Sequence, residues 1–341
     1  MHGKRRRFDG LRTARPGNAE GLACHSGSGA DTGNRSALNK GTTMKNIGII
    51  GLGNMGMGMA KNLTAKGFDV AGFDMNGEAL ESLARLGGKK CKDAAAVGAV
   101  SEVVFVMVVN AAQSTVVITG KNGLLETMKP GSIIVVTATI GSAAVKKLAA
   151  QAGERHVTVI DCPVSGGQKG AEAGALTLMA SGRREDFDRC ADVFAAIARN
   201  VNFVGAEVGQ GQIVKACMQG LVGCIYSGMF EAMMLGVKAG VSAEVLFSVI
   251  GTSVANTPLF QGAIPAVMDR RFKGTGSNIV NTYKDLTITL ALAEECGTPM
   301  MTTGTAKQFF QAGITKFPDE DNQCLIKVLE DIVGIEVKRG A

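Results

Sequence analysis

The sequence predicts an α/β fold: an N-terminal Rossmann-type, doubly wound sheet, followed by an all-α C-terminal domain, with a long interdomain helix joining the two. Three observations predict this fold. From Met44 to about residue 207, apolar strand-like segments alternate with helix-like segments, as a parallel sheet with crossover helices requires. A glycine-rich turn follows the first strand and opens the first helix. After Gly209 strand signals become few, and residues 212–239 are almost continuously compatible with a helix.

A basic segment precedes the two predicted domains. Residues 1–43 carry eight Lys or Arg against three Asp or Glu, and they lack the apolar core of a secretory signal. We expect a disordered extension, either an organelle transit peptide or a translated stretch upstream of a working start at Met44. The predicted sheet domain then covers residues 44–207, and the helical substrate and oligomerisation domain covers residues 208–337.

The order of the elements follows from the apolar pattern. Strands are predicted over residues 46–50, 69–73, 103–108, 132–136, 158–162, 177–181 and 201–204. Helices are predicted over residues 57–66, 76–86, 142–151 and 184–199, and Ser142 is the expected N-cap of the third. The long helix begins after Gly209 and runs to Ala239, and further helices follow from Ser242.

Charge and cysteine content limit the partners. Of the formal charge of +6, residues 1–43 hold +5, so the rest of the chain is near neutral and shows no footprint for nucleic acid. The apolar runs around residues 103–109 and 133–136 are too short to span a membrane. The eight cysteines form no C-x-x-C pair, so we expect no metal site and reduced thiols. A cytoplasmic protein is expected, or a mitochondrial one if residues 1–43 are a transit peptide.

The glycine-rich turn predicts a dinucleotide site. Its residues are Gly51, Leu52, Gly53, Asn54, Met55 and Gly56. The first glycine allows the tight turn, the second lets the backbone approach a pyrophosphate, and the third lets helix and strand pack closely. Asp74 ends the second strand, where a carboxylate accepts from a ribose 2′-hydroxyl. Met75 and Asn76 follow and no arginine does, so NAD is favoured over NADP.

Histidine is an unsuitable proton carrier in this chain. The only histidines are His2, His25 and His156, of which two lie in the extension and the third precedes a strand at the edge away from the turn. Lys215, near the start of the long helix, is the best ionisable candidate, and Gln219 lies one turn further on the same face. From spacing alone, a solvated helix lysine is the better explanation of Lys215.

Two further segments are candidates for substrate contacts. Ser165, Gly166 and Gly167 follow a predicted strand, where a hydroxyl and two backbone amides suit a carboxylate, although an ordinary turn explains them equally well. Lys284 and Asp285 are expected to open a helix. A cation in a first helical turn opposes the helix dipole, which is a weak indication of function beside the alternative of a surface lysine.

Taken together, these segments resemble the β-hydroxyacid dehydrogenase family, which includes 3-hydroxyisobutyrate dehydrogenases and tartronate semialdehyde reductases. The resemblance covers Met44 to about Val337. The G-x-G-x-M-G turn, the D-x-P-V-S-G-G segment beginning at Asp161, the G-x-G-x-x-x-K helix and the later K-D pair carry it. It implies that Lys215 is the catalytic acid and base. It implies substrate contacts from Ser165, Gly166, Gly167, Gln219 and Lys284. It implies cofactor contacts from the turn residues, Asp74, Val109, Asn110, Thr139 and Lys284.

Two departures from the family pattern narrow the resemblance. Gln219 stands where most members carry asparagine, and residues 109–113 replace a proline-containing loop. Both features resemble those of the L-threonate dehydrogenase branch, and this resemblance implies NAD-dependent oxidation of a four-carbon sugar acid. The family resemblance also implies a homodimer or homotetramer. A 3-hydroxyisobutyrate dehydrogenase, an NADPH-linked 2-hydroxy-3-oxopropionate (tartronate semialdehyde) reductase and a non-catalytic nucleotide-binding module remain alternatives.

Overall fold

A nine-stranded sheet forms the N-terminal half of the fold in the computed structural model, which describes residues 44–340. In chain order the strands are β1 (Asn46–Ile50), β2 (Asp69–Phe73), β3 (Lys89–Lys90), β4 (Val103–Val106), β5 (Ile133–Val136), β6 (Thr158–Asp161), β7 (Val164–Ser165), β8 (Leu176–Ser181) and β9 (Ala198–Gly205). Their spatial order is β3-β2-β1-β4-β5-β6-β8-β7, with β9 paired to β8. From β3 to β6 in this order the strands run parallel, and β8 is antiparallel to β6 and β7. The order reverses between β1 and β4, which opens a crevice at the carboxyl ends of these strands.

Helices cover both faces of this sheet. They are α1 (Asn54–Ala65), α2 (Gly77–Arg85), α3 (Ala94–Gly98), α4 (Ala111–Thr119), α5 (Ser142–Gly153), α6 (Gly167–Glu172), α7 (Arg184–Arg189) and α8 (Ala191–Ile197). One apolar layer includes Ile49 and Phe105, and the layer on the other face includes Ile50 and Val104. Neighbouring strand residues therefore enter opposite layers, as the two-residue period of a strand requires. The predicted doubly wound sheet is confirmed.

The second half is helical. Its helices are α9 (Gln210–Lys238), α10 (Ala243–Gly251), α11 (Pro258–Met268), α12 (Ile279–Glu295), α13 (Met301–Lys316) and α14 (Leu325–Val333). Helix α9 has a mean hydropathy of 1.4 and meets the length and composition of a membrane span, although our sequence analysis identified only shorter apolar runs. Its buried residues Phe230 and Met233 belong to an apolar core with residues of α11 to α14. A core helix of a soluble protein has these same properties.

The structure corrects several predicted element boundaries. The helix predicted over residues 184–199 is two helices separated at Cys190, and Ala198 already pairs with Leu176 in the sheet. Ser142 is the first residue of α5 and does not cap it, because Gly141, with a φ of 86°, occupies the N-cap position. The strand predicted to reach residue 108 ends at Val106.

Two predictions about the ends of the domains stay predictions. The predicted disordered extension, residues 1–43, lies outside the described residues. The change from sheet to helices falls between Gly205, the end of β9, and Gln210, the start of α9. The division into domains at residues 207 and 208 stays a prediction.

A buried carboxylate joins the sheet to the start of α9. Asp161 ends β6 and is fully buried. Its Oδ2 accepts hydrogen bonds from the amides of Gly209 and Gln212, both at 3.0 Å, and from Ser181 Oγ at 3.2 Å. Ser181 Oγ in turn accepts from the amide of Gly211 at 2.9 Å. Because these amides belong to the first turn of α9, the carboxylate satisfies donors that have no partner within the helix. We call these five residues the Asp161 cluster.

Gln212 extends the Asp161 cluster to a third segment of the chain. Its Nε2 donates to Asp161 Oδ1 at 2.8 Å and to the carbonyl of Ala138 at 3.1 Å. Its Oε1 accepts from the amides of Ile140 and Gly141 at 2.8 and 3.0 Å. One buried side chain thus ties α9 both to the end of β6 and to the segment after β5.

Small residues bring α9 close to α12. A Cβ atom on Gly223 would lie 2.7 Å from Leu286, and one on Gly220 would lie 3.1 Å from Thr289. The Thr289 hydroxyl donates to the carbonyl of Ala216 at 2.9 Å. This close approach places the middle of α12 beside the second to fourth turns of α9.

We predict that Gly211→Ala destabilises the protein. Its Cβ would meet the carbonyl oxygen of Met179, and it would lie 2.9 Å from both Asp161 Oδ2 and Pro163 Cδ. Overpacking of this kind costs about 1 to 3 kcal/mol. Urea unfolding followed by circular dichroism measures the free energy of unfolding.

Gly304→Ala is the matched control for this substitution. Gly304 is a helical glycine in α13 with no atom within 4 Å of an added Cβ, so it should gain about 0.5 to 1 kcal/mol from the higher helix propensity of alanine. Equal unfolding free energies for Gly211→Ala and the unaltered protein would contradict the close packing of α9 on the sheet.

Candidate active site

The glycine-rich turn lies between β1 and α1 at the crevice of the sheet. Gly51 has a φ of 90°, and a Cβ there would meet the carbonyl of Met107. A Cβ on Gly56 would meet the carbonyl of Gly51, so this glycine lets the helix pack onto the strand end. Gly53 has no atom within 4 Å of an added Cβ. The three glycines therefore match the three steric roles predicted for them.

Free amides line this turn. Helix α1 begins at Asn54, earlier than the predicted residue 57, and Gly53 occupies its N-cap position without a side-chain cap. No residue in the described range accepts a hydrogen bond from the amides of Gly53, Asn54, Met55 or Gly56, and the first helical bond runs from Met57 to Gly53. Such amides at a helix N-terminus fit a pyrophosphate, so the turn suits a dinucleotide.

Asp74 has a second role beside the predicted ribose contact. Its Oδ2 accepts from the amide of Leu52 at 2.6 Å, and its Oδ1 accepts from the amide of Asn76 at 2.8 Å. The carboxylate thus shapes the turn directly. A carboxylate has about four acceptor sites, so these two bonds leave capacity for a ribose hydroxyl.

Val109 and Asn110 lie at the same edge, after β4. Asn110 caps α4, with its Oδ1 accepting from the amide of Gln113 at 2.9 Å, while Gln113 Oε1 accepts from the amide of Val109 at 2.9 Å. Our sequence analysis treated residues 109–113 as a loop. The N-x-x-Q spacing is a reciprocal capping pattern that predicts the start of α4. The predicted cofactor contacts of Val109 and Asn110 stay predictions.

Lys215 is buried at the junction of the two halves, with 7% of its surface exposed. Its Nζ donates to the carbonyl of Val164 at 2.9 Å. Burial lowers the pKa of Lys215 to about 8, since a charged amine loses its hydration; nearby Asp285 opposes this lowering and Lys284 adds to it. A buried lysine with a pKa near neutrality is suited to accept and donate a proton. The alternative of a solvated helix lysine is therefore wrong.

The predicted anion receptor adjoins Lys215. Val164, whose carbonyl contacts Lys215, is the neighbour of Ser165 in β7. Gly166 and Gly167 follow with φ values of 126° and 60°, and both are exposed. Within residues 44–340 no residue accepts from their amides. The residue that contacts the lysine is therefore followed directly in the chain by a hydroxyl and two amides, the groups that a carboxylate site uses.

Lys284 and Gln219 complete the group from the helical half. Lys284 Nζ donates to the carbonyl of Thr139 at 2.7 Å and lies 3.0 Å from Asp285 Oδ1. Gln219 Nε2 donates to Asp285 Oδ2 at 2.6 Å. Helix α12 begins at Ile279, so Lys284 lies in the second turn, and the dipole argument for its placement was wrong. Asn278 caps the helix by accepting from the amide of Val280 at 2.9 Å, which starts it earlier than we predicted.

Sequence reasoning assigned no role to three polar residues of this region. Asp161 belongs to a quoted motif, and burial, outweighing its hydrogen bonds, raises its pKa. Asp285 is the second residue of the K-D pair, and Gln212 carried no signal beyond its position next to predicted residues. His156 lies between α5 and β6, at the other end of the strand from the site. In the described part of the chain, no three His, Cys, Asp or Glu side chains form a group that could hold a metal ion.

Comparisons with known proteins agree with this arrangement. The sequence model of the NAD binding domain of 6-phosphogluconate dehydrogenase matches residues 46–205, and that of the NAD-binding region of NADP-dependent 3-hydroxyisobutyrate dehydrogenase matches residues 209–329. The protein named L-threonate dehydrogenase from Cupriavidus necator is 35% identical over 84% of this chain and 97% of its own length. The protein named 2-(hydroxymethyl)glutarate dehydrogenase from Eubacterium barkeri is 33% identical over 74% of this chain and 84% of its own length.

A solved structure shows the same fold. The protein described as 3-hydroxyisobutyrate dehydrogenase from Salmonella typhimurium superimposes with a TM-score of 0.77 and 32% identity, covering 83% of this chain and 99% of that one. The chain therefore belongs to the 3-hydroxyisobutyrate dehydrogenase-like, or β-hydroxyacid dehydrogenase, family, and it is an NAD-dependent hydroxy acid dehydrogenase.

Proposed function

We propose that this chain oxidises a four-carbon sugar acid such as L-threonate with NAD, and that Lys215 is the general acid and base. The observation that carries the proposal is the burial of Lys215 against the carbonyl of Val164, with a lowered pKa and an anion receptor beside it. The relative named L-threonate dehydrogenase supports the substrate class, because this chain covers nearly all of its length.

Each residue of the site has one task in this reaction. Ser165 Oγ and the amides of Gly166 and Gly167 bind the substrate carboxylate. Gln219 forms a hydrogen bond to the substrate, and Lys215 Nζ takes the proton of the hydroxyl that is oxidised. Bound NAD supplies the hydride acceptor. Lys284, held on the carbonyl of Thr139, keeps α12 against the segment that borders the cofactor crevice.

The pKa of Lys215 suits this task. A free lysine has a pKa of ~10.4 and is almost fully protonated at neutral pH, so it is a poor base. With a pKa of about 8 a substantial fraction of the amine is neutral near physiological pH. The same group then returns a proton in the reverse reaction.

One alternative substrate has its own support. The solved structure described as 3-hydroxyisobutyrate dehydrogenase shares the fold at 32% identity, and a branched hydroxy acid would use the same carboxylate receptor and lysine. An NADPH-linked 2-hydroxy-3-oxopropionate reductase is disfavoured, because Asp74 would meet a 2′-phosphate with a negative charge.

We also propose that the protein is a homodimer or homotetramer assembled through α9. Residues 214, 221, 228 and 235 of this helix are exposed and stand seven positions apart, so they share one face. Among them Leu221 and Leu235 are 62% and 73% exposed. Exposed apolar side chains in a row along a helix are typical of an interface with a second helix.

A cytoplasmic location fits the thiol chemistry. The seven cysteines in the described range are all unpaired, as in a reducing compartment. A mitochondrial location remains the alternative if residues 1–43 are a transit peptide.

The substrate assignment predicts the outcome of a substrate panel. Purified protein with NAD should oxidise L-threonate with a higher kcat/KM than 3-hydroxyisobutyrate or D-glycerate, measured by NADH absorbance. A higher kcat/KM for 3-hydroxyisobutyrate would contradict the proposed four-carbon sugar acid and would make a branched hydroxy acid the substrate.

Lys215→Met should lower turnover by about 10² to 10⁴, the usual contribution of positioned acid and base catalysis. NAD binding, measured by titration calorimetry, should be retained because the glycine-rich turn belongs to a different part of the fold. Near-full turnover in this variant would refute the role of Lys215.

The lowered pKa predicts a pH profile. Only neutral Lys215 accepts a proton, so kcat/KM for oxidation should rise as the pH rises and level off above about pH 8. The reductive direction needs the protonated lysine and should show the opposite trend. A kcat/KM for oxidation that stays constant from about pH 6 to about pH 9 would exclude Lys215 as the base.

Leu221→Glu should reduce the oligomer to monomers, since it places a charge in the centre of the proposed interface. Sedimentation velocity measures the mass in solution. Met75→Glu is the control, because Met75 is 95% exposed in the sheet half, away from α9. An unaltered protein that sediments as a monomer would remove the proposal.

A further inference from the structure

The Gln219 side chain has a defined orientation because of its partner. Its amide lies 2.6 Å from Asp285 Oδ2, on a residue that is 7% exposed. An ionised carboxylate only accepts hydrogen bonds, so the amide nitrogen must face it and the amide oxygen must face away. The opposite orientation would set two oxygens against each other at hydrogen-bond distance.

The orientation of Asp285 is defined in turn by Lys284. The ammonium group lies 3.0 Å from Asp285 Oδ1 as an ion pair, without the geometry of a hydrogen bond, and donates to the carbonyl of Thr139 at 2.7 Å. A carbonyl accepts, an ammonium donates, a carboxylate accepts and an amide nitrogen donates. Two hydrogen bonds and the ion pair between them therefore determine the polarity of each contact from Thr139 to Gln219, and the free end of this series of contacts is Gln219 Oε1.

Gln219 Oε1 is available to a ligand. Within residues 44–340 no side chain or amide donates to it, and it is not among the buried polar atoms that lack a partner. Lys215 stands four residues earlier in α9, on the same face. When the hydroxyl that is oxidised contacts Lys215, the carbon next to the oxidised carbon is therefore within reach of Gln219 Oε1.

We propose that Asp285 is a positioning residue that holds Gln219 with its Oε1 toward the substrate, where it accepts a hydrogen bond from a second hydroxyl on the carbon next to the oxidised one. This assignment rests on the proposed function. It selects polyhydroxy acids over acids with an alkyl group at that carbon. An alkyl group offers no hydrogen-bond donor, so Oε1 would lose water without gaining a partner.

L-threonate and 3-hydroxyisobutyrate test this selection. In L-threonate the α and β carbons both carry hydroxyls, whereas in 3-hydroxyisobutyrate the carbon next to the carbinol carbon carries a methyl group and no hydroxyl. The measured quantity is the ratio of kcat/KM for the first acid to kcat/KM for the second. The unaltered protein should show a ratio above one.

Asp285→Asn should reverse the Gln219 amide. The single oxygen of the new side chain faces Lys284, because an ammonium cannot accept, and its NH₂ group faces Gln219. Gln219 then turns its oxygen inward and its nitrogen toward the substrate. The selectivity ratio should fall about tenfold, the effect of one hydrogen bond.

The double variant Gln219→Glu with Asp285→Asn should restore the ratio. The carboxylate introduced at position 219 accepts from the NH₂ group at position 285 with one oxygen and presents its other oxygen to the substrate. Asp331→Asn is the matched control, since it removes one carboxylate of an exposed pair with Lys316 at 2.7 Å in the same helical half. It should leave the ratio unchanged.

Three results would overturn the inference: an active Asp285→Asn protein with an unchanged ratio, a lowered ratio that Gln219→Glu does not restore, or an unaltered protein that prefers 3-hydroxyisobutyrate. If Asp285→Asn fails to fold, Gln219→Met removes the acceptor at similar size and should lower the ratio about tenfold; an unchanged ratio there also overturns it. If the unaltered protein oxidises no hydroxy acid with NAD, that result would instead refute the proposed function, and this inference with it.

Discussion

The buried carboxylate of Asp161 at the start of α9 is the interaction on which the site depends. A buried charge without partners is strongly unfavourable, but here Gly209, Gln212 and Ser181 donate to it and the positive end of a long helix faces it. The carboxylate therefore determines where α9 leaves the sheet. Lys215 lies one turn after Gln212, so the position of its amine follows from the same contacts. Glycine at 211 is necessary because the helix approaches the strand too closely for a side chain.

The local parts of the fold could be predicted from the sequence. Strand, glycine turn, helix and Asp74 all lie within about 30 residues, and each follows from the period of apolar residues and the steric needs of a turn. The bounds of β1 and β2 agree with the predicted ranges. Helix starts were predicted less accurately, because they depend on N-cap residues such as Asn110 and Asn278. An asparagine in a sequence does not show by itself whether it caps a helix or lies in a loop.

The long-range parts could not be predicted from residue patterns. Gln212 bonds to Asp161 across 51 positions and Lys284 bonds to Thr139 across 145, and no periodicity in a sequence records such a pair. Family resemblance named Lys215 and Lys284 as site residues but not the atoms that hold them. Asp285 is the clearest example, since its carboxylate opposes the effect of burial on the pKa of Lys215 while it orients Gln219.

The contact between Lys215 and Val164 has a stereochemical consequence. The Val164 carbonyl can only accept, so one N–H of Lys215 points to it whether the amine is neutral or charged. The lone pair of the neutral amine then cannot point at the Val164 carbonyl oxygen. In the reaction that we propose, this main-chain oxygen restricts the direction from which Lys215 takes a proton, and a substitution of the Val164 side chain leaves it in place.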